Sequence, residues 1–152
     1  MANTQAMATS FKGELLNAYH NFSATNPART VNTADSFKAA LYLASATMNA
    51  GATAYTPTNE VSGTNYSAGG VAITAWNAPT TSGTTGFTTP TASITYTSVT
   101  LTTAFDAVLI YNNTQGNRAV SVHTFGSQTV TAGTFTLTMP TNNSTSALIR
   151  LA

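Results

Sequence analysis

Few side chains in this sequence could carry chemistry. His20 and His123 are its two histidines, and Glu14, Asp35, Glu60 and Asp106 its four carboxylates. General acid–base catalysis needs two titratable groups converging on one site, yet the carboxylates fall on a helical pattern, a strand entry, a loop and a strand. The one arrangement the spacing permits is a triad of His123, Asp106 and one of the many serines, because positions 106 and 123 lie on runs that read as a hairpin. No nucleophile-elbow sequence accompanies it, and a strand histidine hydrogen-bonded to its neighbours explains His123 more simply. Neither a Walker loop nor a dinucleotide fingerprint occurs, and Gly69-Gly70 lacks the spacing to cradle a pyrophosphate. Acidic residues are too sparse for a calcium loop, and two distant histidines with no cysteine fall short of a zinc shell. The reading is of a non-enzyme with no catalytic residue, metal or cofactor.

Charge narrows the class further. Charged residues make up 6% of the chain and the net charge is +1, against roughly 25% charged residues in an ordinary domain. Five Lys and Arg residues, dispersed along the chain, do not form the cationic patch that nucleic acid requires. Thr, Ser and Asn must wet the surface instead. Low charge favours association, and a hydroxyl surface enters interfaces without the cost of desolvating ions; a multi-copy assembly fits. No stretch approaches the roughly 20 apolar residues of a membrane span, and residues 1–7 lack the pattern of a secretion signal, so a soluble, cytoplasmically made product is expected. Exposed aromatics could bind sugars, with Tyr55, Tyr66, Trp76 and Phe87 in or near loops; the competing reading is that Trp76 and Phe87 anchor those loops to the core.

The elements that must position these residues are mostly strands. Residues 10–22 place Phe11, Leu15, Tyr19 and Phe22 at helical spacing, with Ser10 as a candidate N-cap and Gly13 as a weak point. Residues 36–44 alternate as a strand, and residues 45–70 form a long loop-rich stretch. Strands are then predicted at 71–76, 93–101, 105–111, 119–125, 128–131, 134–139 and 146–151, with turns at 112–117, 132–133 and 140–143. This pattern predicts an all-β chain: an antiparallel β-sandwich or jelly-roll-like single domain over 35–152, preceded by an N-terminal arm with a short helix over 1–34. Asp106, alone in an apolar strand, is expected to pair with Arg118 across the hairpin. Glu60 has no evident intrachain cation, which suggests a contact with a partner subunit.

The segments Phe37-Lys38-Ala39-Ala40-Leu41-Tyr42, Asn59-Glu60-Val61-Ser62-Gly63-Thr64-Asn65-Tyr66-Ser67-Ala68-Gly69-Gly70, Ala107-Val108-Leu109-Ile110-Tyr111-Asn112 and Phe125-Gly126-Ser127 together resemble a group of small structural proteins of tailed bacteriophages. The resemblance implies a virion component without catalytic residues. It suggests a capsid decoration or cement protein first, and a tail, neck or fibre component or a host receptor-binding module second. The partners it implies are the major capsid protein and further copies of the chain, expected as a trimer, on the capsid surface and without nucleic acid or membrane. Phe11, Leu15, Tyr19 and Phe22 on the arm, and Tyr55, Glu60 and Tyr66 in the loop, are the assembly contacts expected on this reading.

Overall fold

A computed structural model describes residues 2–16, 19–22 and 33–152. The side chains of Lys12 and Glu14, and all of Arg29, lie outside what it describes. In chain order the elements are β1 (Ala6–Met7), α1 (Thr9–Leu16), β2 (Phe37–Leu43), β3 (Val71–Ile73), β4 (Thr80–Ser82), β5 (Thr85–Thr88), β6 (Ile94–Asn112), β7 (Arg118–Leu137) and β8 (Ile149–Leu151). They form a five-stranded sheet in the order β1-β7-β6-β2-β3 and a three-stranded sheet in the order β4-β5-β8, with every pairing antiparallel. The chain is all-β and sandwich-like, as its alternation predicts.

The β6–β7 hairpin dominates. Its strands run for 19 and 20 residues, against a usual length of about 5–6. The sequence pattern predicts five separate strands here, because the apolar phase slips after Tyr96, after Leu101 and again near Phe125. Each slip is a register irregularity rather than a strand end: pairing shifts between Tyr96 and Val99, between Leu101 and Phe105, and between Phe105 and Ala107. Extra residues bend a paired ribbon without ending it. Ala132 and Ser98, with φ of 45° and 52°, take up the left-handed backbone this requires; the turn expected at 132–133 is such a bulge. The far half of the ribbon therefore folds back over β2, where the Tyr96 hydroxyl donates to the Ala39 carbonyl at 2.8 Å and Phe105 packs edge-on against Phe135. The turn at 113–117 forms as expected, with Gly116 and Asn117 at positive φ.

Covered on both faces, β2 buries Phe37, Ala39, Ala40, Leu41 and Tyr42. The alternation of its sequence suggested one buried face; layers above and below it bury both. The Thr- and Gly-rich sequence of β4 and β5 lacks the apolar alternation that predicts strands. They hold through pairing with β8 and a turn at Gly83.

The described residues of the N-terminal segment, 2–16 and 19–22, include several that pack into the body. β1 pairs with β7, the Ala8 amide donates to the Val120 carbonyl, and Phe11 is fully buried. Ser10 lies inside α1 and its hydroxyl caps nothing; the helix begins at Thr9, whose amide is taken by the Ala50 carbonyl. Residues 19–22 are not helical. Phe22 stacks on Phe37 at 4.6 Å between ring centroids and meets Trp76 edge-on.

Candidate functional site

The loop-rich stretch before β3 contains a dense polar arrangement. Its middle runs along the half of β2 that β3 leaves unpaired: the Leu43 amide donates to the Asn59 carbonyl and the Val61 amide to the Leu41 carbonyl, both at 3.0 Å. Glu60 lies opposite Tyr42 in this extension. Its carboxylate accepts from the Tyr55 hydroxyl at 2.7 Å, the Tyr66 hydroxyl at 2.8 Å and the Gly69 amide at 2.8 Å. Tyr66 in turn accepts the Leu41 amide at 2.9 Å, and Tyr111 donates to the Gly69 carbonyl at 2.8 Å. Tyr55 stacks on Tyr111 and Tyr66 on Tyr96.

Two glycines allow the loop to lie this close. At Gly70, with φ of +70°, a Cβ would fall 1.7 Å from the Ala39 carbonyl oxygen; at Gly63 it would fall 2.0 Å from that of Thr100. Thr64 then bridges to Thr100 on the folded-back ribbon. The segment 59–70 is thus a strap that ties β2 to the far half of β6.

Electrostatics suit a clamp. Burial is the main cause that raises the hydroxyl pKa values of Tyr42, Tyr66, Tyr96 and Tyr111, and the Glu60 charge raises them further. Tyr55 is pushed up to about 12 by burial, by its bond to Glu60 and by that charge. The phenols stay neutral donors, while the carboxylate already accepts from two of them and a backbone amide. An acceptor so occupied does not offer a base or a nucleophile to a substrate. Glu60, Tyr55 and Tyr66 direct these polar atoms at one another within the chain.

A second node joins the N-terminal segment to the hairpin turn. Asp35 accepts from the Asn21 amide at 2.9 Å and the Asn112 side chain at 2.7 Å, and Asn112 also meets His20 Nδ1 at 3.1 Å. The side-chain Oδ1 of Asn112 accepts the Thr114 and Gln115 amides, which shapes the turn. The turn itself is readable from Asn112-Asn113; its partnership with Asp35 spans 77 positions and has no local signal.

The remaining candidates separate. Arg118 lies opposite Asn112, whereas Asp106 lies between the pairs Phe105↔Gln128 and Ala107↔Thr124. Six residues of strand, roughly 20 Å, keep the expected ion pair from forming. Asp106 instead takes a short hydrogen bond from the Asn3 side chain, and Arg118 stacks over the Tyr19 ring at 4.5 Å. Phe11 and Phe22 are buried in the core, Leu15 is half-buried and Tyr19 is exposed, so of the four expected arm contacts Tyr19 alone presents its ring outward. Trp76 packs edge-on against both Phe22 and Phe37 and Phe87 is buried; both anchor loops, which leaves a sugar-binding role without its central aromatic.

His123 bonds through Nε2 to the Ser121 hydroxyl at 2.8 Å, and burial pushes its pKa down to about 4. The neutral pair resembles half of a triad, but Ser121 is buried and no carboxylate among the described residues reaches the ring. His123 borders a hollow of about 420 Å³ between the layers of the curled ribbon, with Ile94, Val108, Phe125, Phe135 and Leu137. Among the described residues, no three histidines or carboxylates cluster as metal ligands and no helix is long and apolar enough to cross a membrane. Compared with protein-family models, curated proteins and solved structures, the chain matches none.

Proposed function

We propose that this chain is a structural protein of a tailed-bacteriophage particle, acting in many copies as a decoration or cement protein on the capsid surface. The observation that carries this reading is where the ions go. Asp35 and Asp106 accept hydrogen bonds that tie distant segments together, Glu60 gathers those of its own loop, and the exposed residues of the long hairpin's strands are mostly Thr and Ser, with Gly126, Gln128 and Ala132. A rigid, neutral, hydroxyl-covered body is suited to contacts that neither repel their neighbours nor weaken as salt changes, because uncharged contacts are little screened. Burial of about 1,000 Å² per copy against a shell supports micromolar or tighter attachment. The resemblance of the 59–70 segment to phage structural proteins supports the same assignment.

Reconstitution tests the proposal. Shells assembled without the protein should take it up saturably at a fixed ratio to the major capsid protein, with little loss of binding from low to high salt, and should then rupture at a higher temperature. Unsaturable binding, or binding abolished by moderate salt, would contradict it.

A further inference from the structure

The edges of these two sheets are protected unequally. Natural sheets guard against edge-to-edge pairing with very short edge strands, charged side chains, proline or a covering segment. Edge strands β3, β4 and β8 are three residues each. On the remaining edge, β1 covers only Ser121 and Val122 of β7, and residues 53–54 and 8 take up the backbone at 118–120. From Thr124 to Leu137 the outer edge of β7 has no backbone partner among the described residues. That is roughly 45 Å of open strand at about 3.3 Å per residue.

Of the usual guards only bulges are present there, one between Thr124 and Gln128 and one near Ala132. Between Arg118 and Arg150 the sequence has no Lys, Arg, Asp or Glu, and no proline occurs before Pro140. Thr129, Thr131, Thr134 and Thr136 are exposed on one face, and Val130, Phe135 and Leu137 are half-buried on the other. A stranger could be any extended segment, but a second copy is favoured by charge. Two-fold pairing sets a strand against its own reverse, so any ion near the axis would meet its like; this strand carries none. The half-buried apolar row would also meet its own copy and extend the inner layer.

We infer that the open edge of β7, residues 124–137, pairs antiparallel with the same edge of a second copy. The contact makes a dimer, not the trimer expected from the resemblance. Its size sets its strength: about 45 Å of edge and a layer about 10 Å thick bury roughly 900 Å² in total, below the 1,200–2,000 Å² of stable interfaces. The dimer is therefore reversible in solution and favoured where copies are held at high local concentration. It follows from the strand edge and holds wherever the protein works, so it and the virion assignment can fail separately.

Sedimentation of the full chain, from low to several hundred micromolar, should show a monomer–dimer equilibrium. The double substitution Thr129→Lys/Thr131→Lys changes exposed side chains and should weaken the dimer at least about tenfold, since like charges are brought face to face; Thr58→Lys, exposed elsewhere, should leave it unchanged. Circular dichroism confirms that each variant is folded. Amide hydrogen exchange within 124–137 should slow as concentration rises. A monomer throughout, a trimer, or a dimer indifferent to the two lysines would overturn the inference.

Discussion

Replacing Glu60 with Ala removes the acceptor shared by Tyr55, Tyr66 and the Gly69 amide. A hydrogen bond to a charged group contributes roughly 1.5–3 kcal/mol net, and a buried donor left without a partner costs about 1–3 kcal/mol. Tyr55 is only half-buried and recovers water, and losing the carboxylate also relieves its own desolvation, so the three bonds do not sum. A net loss of about 3 kcal/mol is expected, which in a domain of this size lowers the melting temperature by about 6–12 °C. Glu60→Gln keeps the shape and one carbonyl acceptor but turns an NH2 group toward a donor; about 1–2 kcal/mol should be lost. Urea unfolding followed by tyrosine fluorescence measures both, with the slope of the transition checked for constancy. If Glu60→Ala falls within about 0.5 kcal/mol of the parent protein, the range of an ordinary surface substitution, the strap is not held by this carboxylate and the clamp account is wrong.

Gly70→Ala should cost more than about 3 kcal/mol, because the new Cβ collides with the Ala39 carbonyl at a positive φ, whereas Gly126→Ala, with open space around it, should change stability by less than about 0.5 kcal/mol; paired chemical denaturation curves decide this. Alkaline pH should unfold the protein cooperatively: the tyrosines ionise near pH 10 when unfolded but at higher pH when folded, with Tyr55 at about 12, so their contribution is complete below pH 10 and is lost as pH rises toward 12. The part of the 295 nm absorbance that belongs to the five clustered tyrosines should then rise together with the loss of circular dichroism, and ionisation of most of the phenols near pH 10 in a still-folded protein would refute it. His123 acts at the other end, its pKa lowered to about 4; the stability it contributes is present above pH 6.5 and lost as pH falls through that value toward 4, and His123→Gln should flatten this part of the stability–pH curve.

The strands were legible where the chemistry is local. Phe37–Leu43 and the turn around Gly116 follow from alternation and turn residues. Four features depend on contacts that are not local. The long ribbon appeared as several strands because its bulges reset the alternation without ending the pairing. β4 and β5 carry no apolar pattern and depend on a strand some sixty positions later. The Glu60 node was partly visible: the Glu, the aromatics and the glycines of 59–70 stood out, but composition suggested an exposed loop, whereas close approach to Ala39 and Thr100 makes it a strap. Likewise Asp106 and Arg118 matched in charge, but the hairpin register, which alone decides which residues meet, set them apart.

The burial of Phe11 and Phe22 changes how the assembly should be probed. Removing residues 1–22 would strip β1 from the sheet and two aromatics from the core, and truncating one buried Phe to Ala already costs about 3–5 kcal/mol. Loss of attachment in such a deletion would report unfolding rather than a missing contact. Exposed single positions, such as Tyr19 and the threonines of β7, are the appropriate probes.

The central claim is that many copies of this neutral, clamped body cover a phage shell. Quantitative mass spectrometry of purified particles, with labelled peptides of this chain and of the major capsid protein, measures the copy number directly. The account predicts a ratio near one to one, or a simple fraction set by the symmetry of the shell. A ratio of a few per cent would place the protein in the neck, tail or fibres, and its absence from the particle would contradict the account altogether.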